Sequence, residues 1–160
     1  MLIVKFYNDV EDALLKFAVI ISKFNGKWVF CKHRSRNTFE IPGGHREYGE
    51  SILATAKREL IEETGALTFS LKPVCVYSVK GKNKVNESGE EMFGMLFFAD
   101  ISEFSHHLNS EIEFIELFDH LPTDWTYPEI QPYLIKEYQR QKEKENNTDS
   151  LRFDSKIPNL

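Results

Sequence analysis

A short helical segment, Ser51 to Thr64, sits between strand-like runs and carries three glutamates, Glu59, Glu62 and Glu63, just ahead of Gly65. On a helix turning about 100° per residue, these carboxylates fall within one ~100° sector. Leu53, Ala56 and Leu60 form an apolar stripe beside them. One face can therefore seat the helix on a sheet while the next presents the acids. Ser51 reads as the N-cap and Gly65 as the C′ residue that ends the helix. Upstream, Pro42-Gly43-Gly44 interrupts any regular element.

The rest of the chain reads mostly as strands. Residues 2–7, 15–22 and 27–33 are strand-like, the last two flanking Asn25-Gly26, a pair suited to a tight hairpin because both positions tolerate positive φ. Further strands are predicted at 71–79, 92–101 and 112–118, with a polar, mobile loop from Lys80 to Glu91. A second helix is expected from Tyr127 or Pro128 to about Glu145. Strands with one internal and one terminal helix imply an α/β layered fold on a mixed sheet. No linker divides the chain, so residues 1–146 read as one domain, with 147–160 as a loosely ordered C-terminal tail.

Composition bounds the function. The 160 residues, 41% of them hydrophobic and with thirteen Phe, suffice for a substantial core. A net charge of -5 argues against an extended nucleic-acid partner, which requires a basic face. It leaves room for a small phosphorylated ligand, since a metal ion can supply positive charge locally. Cys31 and Cys75 have no CxxC spacing and read as buried, reduced thiols. No secretory signal and no run of ~18 apolar residues is visible, so a cytoplasmic protein without a membrane partner is expected. A homodimer is compatible with the sequence.

Three clustered carboxylates repel one another, and a divalent cation removes that penalty. All-oxygen ligation suits Mg²⁺ or Mn²⁺ and does not suit zinc. Arg58 stands beside the cluster and could orient one carboxylate through a bidentate contact. Three glutamates alone would equally fit a solvated helix face. The Pro-Gly-Gly turn, Glu50 and Arg58 at their spacings make the metal reading the stronger one.

Residues 44–66 resemble the Nudix box, G-x5-E-x7-REUxEExGU with U a bulky aliphatic. Gly44, Glu50, Arg58, Glu59, Leu60, Glu62, Glu63 and Gly65 match, and Ala66 departs from the final aliphatic. The resemblance implies an α/β/α sandwich around a mixed β-sheet. It also implies Glu59, Glu62 and Glu63 as principal metal ligands, Gly43 as a carbonyl ligand, Glu50 as a secondary or water-mediated one and Arg58 as their orienter. The implied chemistry is in-line attack of water on phosphorus. The box lacks a general base; Glu111 is the first candidate for that role and Glu113 the second, because strand alternation places them on one side.

Arg34 and Arg36, with His33, could meet substrate phosphates, and Phe39, Tyr48 or Tyr77 could stack on a base; a solvated loop and core packing are the plain alternatives. The size and the Gly-Lys-Trp … Pro-Gly-Gly arrangement look like the mutator-type branch. A small-molecule substrate such as a (d)NTP or 8-oxo-dGTP is therefore expected to yield a monophosphate and pyrophosphate. RNA 5′-pyrophosphohydrolysis, ADP-ribose or nucleotide-sugar hydrolysis, and a non-enzymatic ligand-sensing module are the alternatives. Retention of all three box glutamates favours the enzyme.

Overall fold

A computed structural model describes residues 1–108 and 111–154, with side chains through Asp149. Its strands are β1 (Ile3–Tyr7), β2 (Leu15–Phe24), β3 (Lys27–His33), β4 (Gly43–His45), β5 (Ala66–Lys80), β6 (Met92–Phe104) and β7 (Ile112–Phe118). Two α-helices accompany them, α1 (Ile52–Thr64) and α2 (Gln131–Asp154). The sheet order is β1-β5-β6-β2-β3-β7, with β4 added to β2. The β2–β6 pair is parallel and the other pairings are antiparallel, so the sheet is mixed.

Strand alternation builds two cores, one on each face. Ile20, Val29 and Phe97 join Ala56 and Leu60 of α1, whereas their neighbours Ile21, Phe30 and Leu96 join Leu134 and Ile135 of α2. The result is the expected sandwich. The helix stripe differs in one residue: Leu53 is exposed, and Ile52 packs with Ala56 and Leu60 instead. Ser51 caps α1 by accepting from the Ala54 N–H at 3.0 Å, and Gly65 closes it at φ 73°. Ser51→Ala is expected to cost about 1 kcal/mol, read as a lower urea midpoint at unchanged slope.

The active segment owes its position to a split in the sheet. Asn25 and Gly26, both at positive φ, close the β2–β3 hairpin, but β2 and β3 pair only at Lys23–Trp28 and Phe24–Lys27. Beyond that they diverge and residues 40–45 fill the gap. Glu40 bridges to Cys31, the Ile20 N–H donates to the Pro42 carbonyl, and Gly43–His45 pair with Phe17–Val19. The Pro-Gly-Gly turn is thereby held in the sheet against α1.

Several boundaries move. β5 begins at Ala66 because residues 66–70 find partners on the lengthened β6, and a register shift follows Pro73, where no N–H is available for the ladder. The segment 81–91 is closed by hydrogen bonds: Gly81 N–H to the Gly89 carbonyl, Asn83 against Asn86, and the buried Asn86 amide to the Glu90 carbonyl. α2 starts at Gln131, after turns at 127–130, and runs to Asp154, past the Asn146 at which a loose tail is expected. Residues 155–160 lie outside the described residues. Among the described residues, no helix is long and apolar enough to cross a membrane.

Candidate active site

Arg58 organises the carboxylates of α1. Its Nε and Nη2 grip Glu50 at 2.8 and 2.9 Å, Nη1 reaches Glu59 at 2.7 Å and Glu62 at 3.4 Å, and Nη2 also donates to the His45 carbonyl. The bidentate grip pulls the Glu50 carboxyl down to about 2, helped by the Glu47 N–H. Glu50 was expected to lend a secondary or water-mediated metal contact. Both its oxygens accept from Arg58 and it does not line the cavity, so it anchors Arg58.

Glu59, Glu62 and Glu63 all line one cavity of about 510 Å³. Glu62 is the most open, its side chain 43% exposed. Glu63 is buried, accepts from the Gly43 N–H at 3.1 Å and meets His33 at 3.3 Å. Burial, and then Glu59 alongside, push the Glu63 carboxyl up against the effect of those two donors. Arg58 meets Glu59 and Glu62 and His33 meets Glu63, yet three carboxylates still share one cavity. The all-oxygen set therefore fits a hard divalent cation.

Gly44 makes the packing possible. A methyl there would overlap the Glu59 carboxylate, so glycine lets that side chain lie against the turn. Gly43 has a different constraint: a Cβ would stand 2.6 Å from the Ala18 carbonyl oxygen, inside the sheet.

A second acid cluster was not anticipated. His33 Nε2 lies 2.7 Å from Glu40, and Glu40 is buried and also paired with Arg36 at 2.9 Å. The His33, Glu40 and Glu63 ligand atoms lie within 4.8 Å of one another. The hydrogen bond to Glu63 raises the His33 pKa; burial opposes it, and the Glu40 charge adds to the rise. His33 and Arg36 thus hold acids, an arrangement that neither a solvated loop nor a phosphate-binding one described. The available signal was Glu40 itself, a single acid between Phe39 and Ile41 with Arg36 four residues before it.

The remaining candidates separate. Arg36 and Glu111 line the cavity, whereas Arg34, Phe39 and Glu113 do not. Glu113 pairs with Lys32 on the sheet surface, so the expected shared side with Glu111 is not realised: Glu111 precedes β7 in a turn, where strand alternation does not apply. The Glu111 carbonyl accepts from the Arg34 N–H. Phe39 belongs to an aromatic cluster with Phe114 and Phe118, its backbone bonded to Asp124 and Thr126, and so acts as packing. The cavity lining also includes the apolar side chains Ile41, Val79, Met92, Ile130 and Leu134 and the ring of Tyr77.

Comparison with known proteins agrees with this geometry. Residues 14–137 match the NUDIX domain family. The chain is 33% identical over 127 residues to YtkD of Bacillus subtilis (strain 168), provisionally named an 8-oxo-dGTP diphosphatase, covering 76% of this chain and 73% of that one. It superimposes on a mutant form of the Bacillus subtilis pyrophosphohydrolase BsRppH with a TM-score of 0.69 at 28% identity, over 86% of this chain and 90% of that one. The NUDIX domain of Shewanella oneidensis NrtR, solved with ADP ribose, shares the fold at TM-score 0.61 and 13% identity, over 84% and 94% of the two chains.

Proposed function

This chain belongs to the NUDIX family of hydrolases acting on acid anhydrides, and from that premise we propose that it converts a (d)NTP, 8-oxo-dGTP among them, to the monophosphate and pyrophosphate. The observation that carries this reading is the lining of one cavity, which joins carboxylates suited to metal-bound phosphates with apolar side chains suited to a base.

Glu59, Glu62 and Glu63 would hold Mg²⁺ or Mn²⁺, with the Gly43 carbonyl as a further ligand. The bound cation would neutralise charge on the phosphate oxygens and favour displacement at phosphorus. Arg58, fixed by Glu50, keeps Glu59 and Glu62 turned to the cavity. Glu111 would take a proton from the attacking water as its oxygen bonds to phosphorus and the anhydride P–O bond breaks, releasing pyrophosphate. Glu113, held by Lys32 away from the cavity, is set aside as base.

The test is product release from (d)NTPs, 8-oxo-dGTP, ADP-ribose, dinucleoside polyphosphates and 5′-triphosphate RNA, with Mg²⁺ and with EDTA. Metal-dependent turnover of triphosphates, lowered roughly 10²–10³-fold in Glu62→Gln, is expected. Turnover confined to RNA or ADP-ribose would replace the substrate. Nucleotide binding without turnover, unchanged by Glu62→Gln, would indicate a sensing module.

A further inference from the structure

The segment 81–91 carries part of the cavity lining on a narrow base. Asn83, Val85 and Asn86 line the cavity, together with Met92 at the start of β6. Hydrogen bonds within the segment tie it to itself. The Val85 N–H donates to Asn83 Oδ1 at 2.9 Å, and Asn86 Oδ1 accepts from the Ser88 hydroxyl and the Gly89 N–H. These bonds give the segment its shape; its two ends fix where it sits. At the first end Gly81 packs against Met1 and Leu2, where a Cβ would stand 2.7 Å from the Met1 carbonyl oxygen. At the second, Glu91 Oε1 accepts from two hydroxyls, Tyr7 of β1 at 2.8 Å and Ser78 of β5 at 2.7 Å.

This latch lies on the sheet face turned away from the cavity. Tyr77, Val79 and Met92 line the cavity, whereas their chain neighbours Ser78 and Glu91 do not, as strand alternation requires. Glu91 can therefore act on a bound ligand only through the backbone that it fixes. Ser78 is fully buried, and its hydroxyl donates to Glu91. A buried hydroxyl without an acceptor is costly, so the carboxylate is drawn to this spot. The Ser78 and Tyr7 hydroxyls, with the charges of Lys5 and Lys80, hold the Glu91 carboxyl below the usual carboxylate range. Bonds to a charged acceptor are the stronger kind.

We propose that Glu91, latched by Tyr7 and Ser78, is a positioning residue that holds segment 81–91 at the cavity and so sets substrate affinity without entering the reaction. Segments with few contacts to the body open locally, and a ligand that needs the closed form binds in proportion to the fraction closed. This inference rests on the nucleotide reading above and deepens it.

Amide exchange of the protein without ligand, and steady-state kinetics with dGTP in Mg²⁺, test the two halves separately. In Glu91→Ala, exchange across 82–90 is expected to quicken roughly 10–100-fold through the loss of two bonds to a charged acceptor. KM for dGTP should rise roughly 3–10-fold at unchanged kcat. Glu91→Gln keeps a carbonyl oxygen able to accept from both hydroxyls, and should bring exchange and KM back to within about 3-fold of wild type. Tyr7→Phe removes one bond and should fall between the two. Unchanged exchange across 82–90 in Glu91→Ala, or exchange quickened equally throughout β5 and β6, would overturn the latch. Quickened exchange with KM unchanged, or a fall in kcat alone, would overturn its bearing on substrate. No turnover of any triphosphate by the wild-type protein would overturn the nucleotide reading and with it the substrate half, while the exchange result still decides the latch.

Discussion

Glu59→Gln is expected to lower Mg²⁺-dependent turnover roughly 10²–10³-fold while the unfolding temperature in EDTA falls by no more than about 2 °C, or rises. The two effects diverge because this carboxylate, in its proposed ligand role, serves the site at the expense of the apo fold. It crowds Glu63 and stands on the same helix sector as Glu62, so removing its charge relieves repulsion. Arg58 loses the 2.7 Å contact to Glu59 but keeps its bidentate grip on Glu50. Calorimetry with and without Mg²⁺, run beside the activity assay, checks both halves. The wild-type protein should gain more from Mg²⁺ than the variant. A marked loss of apo stability with activity retained would make Glu59 a structural residue and remove it from the proposed ligand set.

The neighbouring glycines separate site from scaffold. Gly44→Ala places its methyl where the Glu59 carboxylate lies, at the far end of a flexible side chain that can swing aside. The fold should survive, and turnover should fall roughly 10²-fold, because a displacement of about 1 Å in a catalytic array carries a penalty of that order. Gly43→Ala meets the Ala18 carbonyl oxygen and the Val19 backbone, which cannot yield without moving β2. Its expected cost is about 1–3 kcal/mol of stability, visible as a lower urea midpoint. Equal stability losses in the two variants would mean that Gly44 is placed for the sheet and has no bearing on Glu59.

Local patterns were legible where a residue's role depends on its chain neighbours. The Asn25-Gly26 hairpin, the Ser51 cap and the Gly65 stop follow from backbone preference over a few residues, and each appears at its expected position. The carboxylates of α1 share one cavity because helical spacing alone sets their angular relation. The expectation for Leu53 failed because a stripe of three apolar residues does not say which edge of the stripe turns outward. Glu111 and Glu113 separated because alternation was extended into a turn before the strand begins.

The remainder was decided by tertiary structure. That β2 and β3 diverge, so that Glu40 meets His33 and Gly44 meets Glu59, depends on pairings between segments distant in the chain. Base stacking and core packing were both open to Phe39, and Phe114 and Phe118 from β7 supply the packing partners. The Gln131 side chain accepts from the Ile41 N–H, a contact across ninety residues that no local pattern announces. Sequence by itself determined the helix, its caps and the acids, because these obey short-range periodicity and backbone conformation. Only the folded chain decided which side chains share the cavity, because burial and hydrogen-bond partnership belong to the whole packed molecule.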